Sequence, residues 1–169
     1  MLDFGSQTTQ LIARRVREAQ VYCEIHPFNI GLNKIKQFGA KGIILSGGPA
    51  CVLDEGSPTC EVEVLELGVP VLGICYGMQL MTHLLGGEVE RAAKREYGKA
   101  QLSISSAEDL FYGLDGSGEG QGEQVWMSHG DKIKEPPTGF TAIAHSGNSP
   151  VAAMRDAGGQ LYGVQLPPE

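Results

Sequence analysis

A chain of 169 residues with 41% hydrophobic and 20% charged residues can bury a sizeable core as one domain, and it lacks the polar, charge-rich profile of a disordered segment. Its formal net charge of -7 argues against nucleic acid as a partner, because a surface that tracks phosphates needs a basic face to displace counterions. No apolar run approaches the roughly 20 residues of a membrane helix and the start lacks a signal-peptide layout, so a cytoplasmic protein with no membrane partner is expected.

The chain opens with Met1-Leu-Asp-Phe4 as the tail of a strand. Gly5-Ser6 follows as a turn, then a helical stretch with Leu11, Ile12 and Val16 on one face. Val21 to Ile25 reads as a short strand, Asn33 to Phe38 as a short helix, and Gly42 to Leu45 as an apolar strand running into Ser46-Gly-Gly-Pro49. A helix over about Thr59 to Leu67 leads through Gly68 and Pro70 to the strand Val71 to Ile74. Cys75 comes next, then a helix from about Met78 to Leu85 that Gly86-Gly87 stops.

Strands alternating with helices predict a parallel sheet with helices on both faces, since parallel strands need crossover connections. After Gly87 only strand candidates remain: Glu88 to Arg91, Gln101 to Ile104, Gln124 to Met127, Phe140 to Ala144, Val151 to Met154 and Leu161 to Gln165. The predicted architecture is therefore α/β, three-layered, with a mainly parallel sheet and additional antiparallel strands. Gly113 to Gly122, with five glycines among acidic residues, reads as a surface loop. The four cysteines Cys23, Cys51, Cys60 and Cys75 form no Cys-x-x-Cys pair, so no zinc site, redox motif or disulfide framework is expected.

Gly73-Ile-Cys-Tyr-Gly77 has the layout of a nucleophile elbow, in which a sharp strand-to-helix turn presents the central side chain and flanking glycines leave room for it. The helix beyond points its N-terminus at the thiol, which would favour thiolate. On residue type alone a buried structural cysteine is the alternative. Ser46-Gly-Gly-Pro49 offers unhindered backbone N–H groups at the end of another strand, suited to an oxyanion if it lies beside Cys75, or else it is a plain turn. Two such turns at the carboxyl ends of neighbouring parallel strands mark the edge where doubly wound sheets form their ligand crevice.

Five segments then carry a specific resemblance: Leu2-Asp-Phe-Gly-Ser-Gln7, Leu45-Ser-Gly-Gly-Pro49, Gly73-Ile-Cys-Tyr-Gly-Met-Gln79, Val125-Trp-Met-Ser-His-Gly-Asp131 and Tyr162-Gly-Val-Gln165. In these motifs and their order the chain resembles the glutaminase domain of class I glutamine amidotransferases of the GMP synthetase type. The first and fourth segments separate that group from amidotransferases making anthranilate, carbamoyl phosphate or CTP. The resemblance implies that Cys75 attacks the side-chain amide of glutamine, giving a thioester and ammonia. It assigns the oxyanion hole to the backbone of Gly48 and Tyr76, and substrate binding to Gln79 and a turn formed by Ser128, His129, Gly130 and Asp131. For Gln79 a solvated helix face is the plain alternative, and Trp126 reads as a core side chain. No cofactor or metal is required.

The family closes its site with Gln-Phe-His-Pro-Glu, where this chain has Gln165-Leu-Pro-Pro-Glu169. Glu169 matches the glutamate that orients the histidine, but Pro167 stands at the histidine position and can neither take the thiol proton nor return it. Glutaminase activity is thus expected to be weak or lost. Both ends read as cut within a single amidotransferase domain, and the synthetase domain is absent. Ammonia would pass to a GMP synthetase ATP-pyrophosphatase domain or subunit. Two other readings stay open: a catalytically dead glutamine- or partner-binding module, and a cysteine hydrolase with a different substrate.

Overall fold

The computed structural model describes residues 1–114 and 123–166, without the side chains of residues 92–97, 128 and 129. Pro167 and Glu169 therefore lie outside the described residues, as does most of the glycine-rich stretch expected to be a loop.

The first half builds β1 (Leu2–Asp3), α1 (Thr9–Glu18), β2 (His26–Pro27), α2 (Leu32–Phe38), β3 (Ile43–Leu45), β4 (Val71–Ile74) and α3 (Tyr76–Leu84). The second half builds β5 (Glu88–Ile104), β6 (Glu123–Glu135), β7 (Phe140–His145), β8 (Ala153–Asp156) and β9 (Leu161–Val164). These strands form one sheet in the order β2-β1-β3-β4-β9-β8-β7-β5-β6. From β2 to β9 every neighbour is parallel. From β9 onward every neighbour is antiparallel.

The two-residue alternation of the central strands sends side chains to opposite faces. Ile43, Leu45 and Val71 pack with Ile35 of α2 and Met78 and Met81 of α3. Ile44, Leu72 and Ile74 pack with Ile12 of α1 and Val164. Helices therefore cover both faces of the parallel part, as the strand and helix alternation predicts. Gly39, at φ +64°, ends α2 in the left-handed conformation that glycine adopts at little cost.

Several local expectations are corrected. Val21 to Ile25 forms no strand; only His26–Pro27 pairs, because β1 offers a ladder only two residues long. Leu11 is exposed, and α1 buries Ile12 and Ala13 instead. The helix expected over Thr59 to Leu67 shrinks to a 3₁₀ segment, Val62–Glu66. Glu88 to Arg91 and Gln101 to Ile104 are the two ends of one long strand, whose pairing with β6 shifts register between Arg91 and Glu96. Trp126 is 53% exposed rather than a core side chain. Ser128 to Asp131 lie within β6, opposite Tyr97, Glu96 and Arg91, and are not a turn.

Candidate active site

Cys75 sits between β4 and α3 at φ +50° and ψ −107°, a strained backbone for any residue with a Cβ. Its flanking glycines explain how the turn closes. A Cβ on Gly73 would stand 2.6 Å from the carbonyl oxygen of Gly77, and one on Gly77 would collide with the carbonyl oxygen of Leu45. The elbow thus needs both glycines for close backbone approach. Its peptide groups are pinned on either side: Cys75 N donates to Val164 O at 2.8 Å and Gly77 N donates to Ser46 O at 3.1 Å.

The loop after β3 does lie against Cys75. A Cβ on Gly47 would come 3.6 Å from Cys75 Cβ and 3.6 Å from Ser6 Oγ, so the turns after β1, β3 and β4 meet at one point. Gly48 is crowded onto Phe4, where a Cβ would strike the Phe4 carbonyl oxygen. Buried Ser46 fixes this arrangement, accepting from Phe4 N at 2.9 Å and donating to Gly47 O at 2.9 Å. The Phe4 and Tyr76 rings pack with centroids 5.5 Å apart, and the Tyr76 hydroxyl donates to Pro58 O. That anchors the side chain of Tyr76 while its N–H stays in the first turn of α3, where no intrahelical acceptor exists.

Gln79, one turn further along α3, is only 5% exposed, which rules out a solvated helix face. Its Nε2 donates to Asp131 O at 3.3 Å, joining α3 to β6 at the segment Ser128 to Asp131. Asp131 in turn stands beside Cys51: burial first, then a hydrogen bond with Asp131, pushes the Cys51 thiol up, while Arg91 pulls it back. Arg91 also pairs with Asp54. This Cys51, Arg91, Asp54 and Asp131 network gave no sign in the sequence, because its members come from a loop and two strands.

The Cys75 thiol donates to the main-chain oxygen of Gln165 at 3.3 Å. Burial pushes it up to about 12. Desolvation thus favours the neutral thiol, while the partial positive charge at the start of α3 acts in the other direction. Of the four histidines, His26 contacts Glu24 and lies on β2, while His83 and His145 are exposed at the end of α3 and of β7. Among the described residues, none contributes to the Cys75 shift.

The profile of the family "Glutamine amidotransferase class-I" matches residues 1–169. The chain belongs to that family. This amidotransferase domain is 54% identical over 169 residues to the glutamine-hydrolysing GMP synthase of Desulfotalea psychrophila and 55% identical to that of Staphylococcus carnosus. All of the chain matches in both, but it spans 32% of the length of each. Among solved structures, a Thermoplasma acidophilum protein assigned as a GMP synthase subunit superposes with a TM-score of 0.80 at 26% identity, covering 98% of this chain and 80% of the other. A glutamine amidotransferase of Thermotoga maritima gives 0.74 at 20% identity, covering 98% and 70%, a likeness of fold alone. Among the described residues, no helix of this amidotransferase is long and apolar enough to cross a membrane.

Proposed function

We propose that the chain is the glutaminase module of a GMP-synthase-type amidotransferase, releasing ammonia from glutamine through a thioester on Cys75. The observation that carries this reading is the meeting of Cys75, the Gly47–Gly48 loop and the start of α3 at the carboxyl edge of the parallel strands. In that reaction the Cys75 sulfur bonds to the amide carbon of glutamine, and the carbonyl oxygen takes up negative charge. The backbone N–H groups of Gly48 and Tyr76 donate to it, a preorganised stabilisation that costs no rearrangement as charge develops. The C–N bond breaks, the thiol proton leaves with the nitrogen as ammonia, and water then releases glutamate and restores the thiol. Gln79 and the Ser128, His129, Gly130 and Asp131 segment hold the amino and carboxylate ends of the substrate.

Proton transfer is the weak step. Pro167 supplies no base at the position where the family places its histidine, so Glu169 has nothing to orient. Removing a triad base costs roughly 10⁶-fold in turnover in hydrolases of this logic. Turnover is accordingly slow as the chain stands, and ammonia passes to an ATP-pyrophosphatase unit, consistent with the two-thirds of each relative that this chain does not span. Four free thiols fit a reducing, cytoplasmic setting.

A second reading, a glutamine-binding module without hydrolysis, is favoured by the half-buried, hydrogen-bonded Cys75 thiol. Ammonia release from glutamine separates the two, measured for the chain as given, for Pro167→His and for Cys75→Ala. Activity in the histidine variant and silence in the Cys75→Ala variant support the glutaminase. Glutamine binding by calorimetry with no ammonia from any of the three supports the binding module.

A further inference from the structure

Gln165 is fully buried, and among the described residues neither its Oε1 nor its Nε2 has a hydrogen-bond partner. An unmade hydrogen bond at a buried polar atom is costly enough that native proteins rarely leave one, let alone two on one side chain. The main chain of Gln165, by contrast, makes one hydrogen bond on each side. Its N–H donates to Ala152 O at 2.8 Å and its carbonyl accepts from Cys75 Sγ at 3.3 Å.

Two residues earlier on the same strand, a Cβ on Gly163 would meet Met78 Cγ at 2.6 Å, and alternation returns Gln165 to that side. Beyond the last register pair, Ile74 opposite Val164, Cys75 donates its N–H to Val164 O and its thiol to Gln165 O, so the main chain of Gln165 lies beside the residue that opens α3. The buried polar side chains of α3 are committed elsewhere: Thr82 Oγ1 donates to Met78 O at 2.9 Å, and Gln79 Nε2 donates to Asp131 O. One ordered water can accept from Nε2 and donate to Oε1 at once.

We infer that Gln165 is a positioning residue for the nucleophile: its buried carboxamide closes on an ordered internal water, and that anchor sets where the Gln165 carbonyl meets the Cys75 thiol. The inference rests on Cys75 being the nucleophile. Its test needs no glutamine turnover, so it stands or falls separately from the glutaminase reading.

The experiment is alkylation of Cys75 by iodoacetamide across pH 7 to about 10, followed by mass spectrometry of the Cys75 peptide, for the parent and for Gln165→Met. Methionine keeps the length and removes both polar atoms, which frees the strand end from its anchor and loosens the carbonyl from the thiol. The expected result is alkylation about tenfold faster at pH 8, the equivalent of one lost hydrogen bond, with unchanged circular dichroism. An equal or slower rate overturns the inference. Should the variant not fold, a high-resolution crystal structure of the parent decides. A water within hydrogen-bonding distance of both Oε1 and Nε2 supports the anchor, and any other arrangement of those atoms overturns it.

Discussion

Gly73 and Gly77 touch through the space where a side chain would be: a Cβ on Gly73 falls 2.6 Å from Gly77 O and 2.7 Å from Met78 N. Both contacts are to backbone, so relief requires the strand or the helix to move. Gly73→Ala is therefore expected to cost about 1–3 kcal/mol, the usual range for overpacking a closed core. Gly147→Ala, with nothing within 4 Å of the new Cβ, is expected to stay within about 0.5 kcal/mol. Urea midpoints of the two variants check the contrast, and equal midpoints would show that the elbow yields freely.

The half-buried thiols of Cys60 and Cys75 set an alkaline limit on stability. Burial raises Cys75 from 9.0 to about 12 and Cys60 from 9.0 to about 11. Above pH 9 the unfolded chain loses these protons while the folded chain keeps them, so the folded state binds more protons and stability falls as pH rises. The contribution is complete below pH 9 and is lost on approach to the folded values. Each thiol adds a slope of up to about 1.4 kcal/mol per pH unit in that window. Denaturation midpoints from pH 8 to about 10.5 should decline in the parent and decline less steeply in Cys75→Ala. Identical slopes would remove Cys75 from this account.

The central strands and the elbow were legible because their signals are local. Ile43–Leu45 and Val71–Ile74 are apolar runs closed by glycine turns, and the register between them brings Ser46 and Cys75 to the same edge. The ends of β5 were legible but its middle was not, since Ala92-Ala-Lys-Arg-Glu-Tyr-Gly-Lys-Ala100 has little intrinsic strand preference and is extended only by pairing with β6. For the same reason Ser128-His-Gly-Asp131 reads as turn residues in isolation and becomes strand in company. The Gln165 carbonyl at the thiol could not be read at all. It depends on β4 lying beside β9, strands separated by nearly ninety residues.

Cys51 reports on the electrostatics beside Asp131. A hydrogen bond with Asp131 raises its thiol and Arg91 lowers it. Arg91→Gln should therefore slow alkylation of Cys51 at pH 8, and Asp131→Asn should speed it. The Arg91–Asp54 pair is exposed on both sides, so Arg91→Gln should leave the melting temperature nearly unchanged. Peptide-resolved alkylation together with a thermal melt checks both halves. A shift of the same sign in the two variants would refute the opposed roles.

Gln79 is the residue on which substrate capture can be separated from chemistry. Its side chain is buried at the contact between α3 and β6, one helical turn from Cys75 and bonded to Asp131 O. In the proposed reaction it contacts an end of glutamine that does not change charge between ground state and transition state. An interaction of that kind lowers KM without raising kcat. In a Pro167→His background, which supplies the turnover needed for measurement, Gln79→Ala is expected to raise KM for glutamine about tenfold, the equivalent of one lost polar contact. The turnover number should change by less than about threefold. Steady-state ammonia release over a range of glutamine concentrations distinguishes the outcomes. A fall in kcat at unchanged KM would mean that Gln79 acts on the reacting amide itself, and the orientation given to the substrate would have to be reversed.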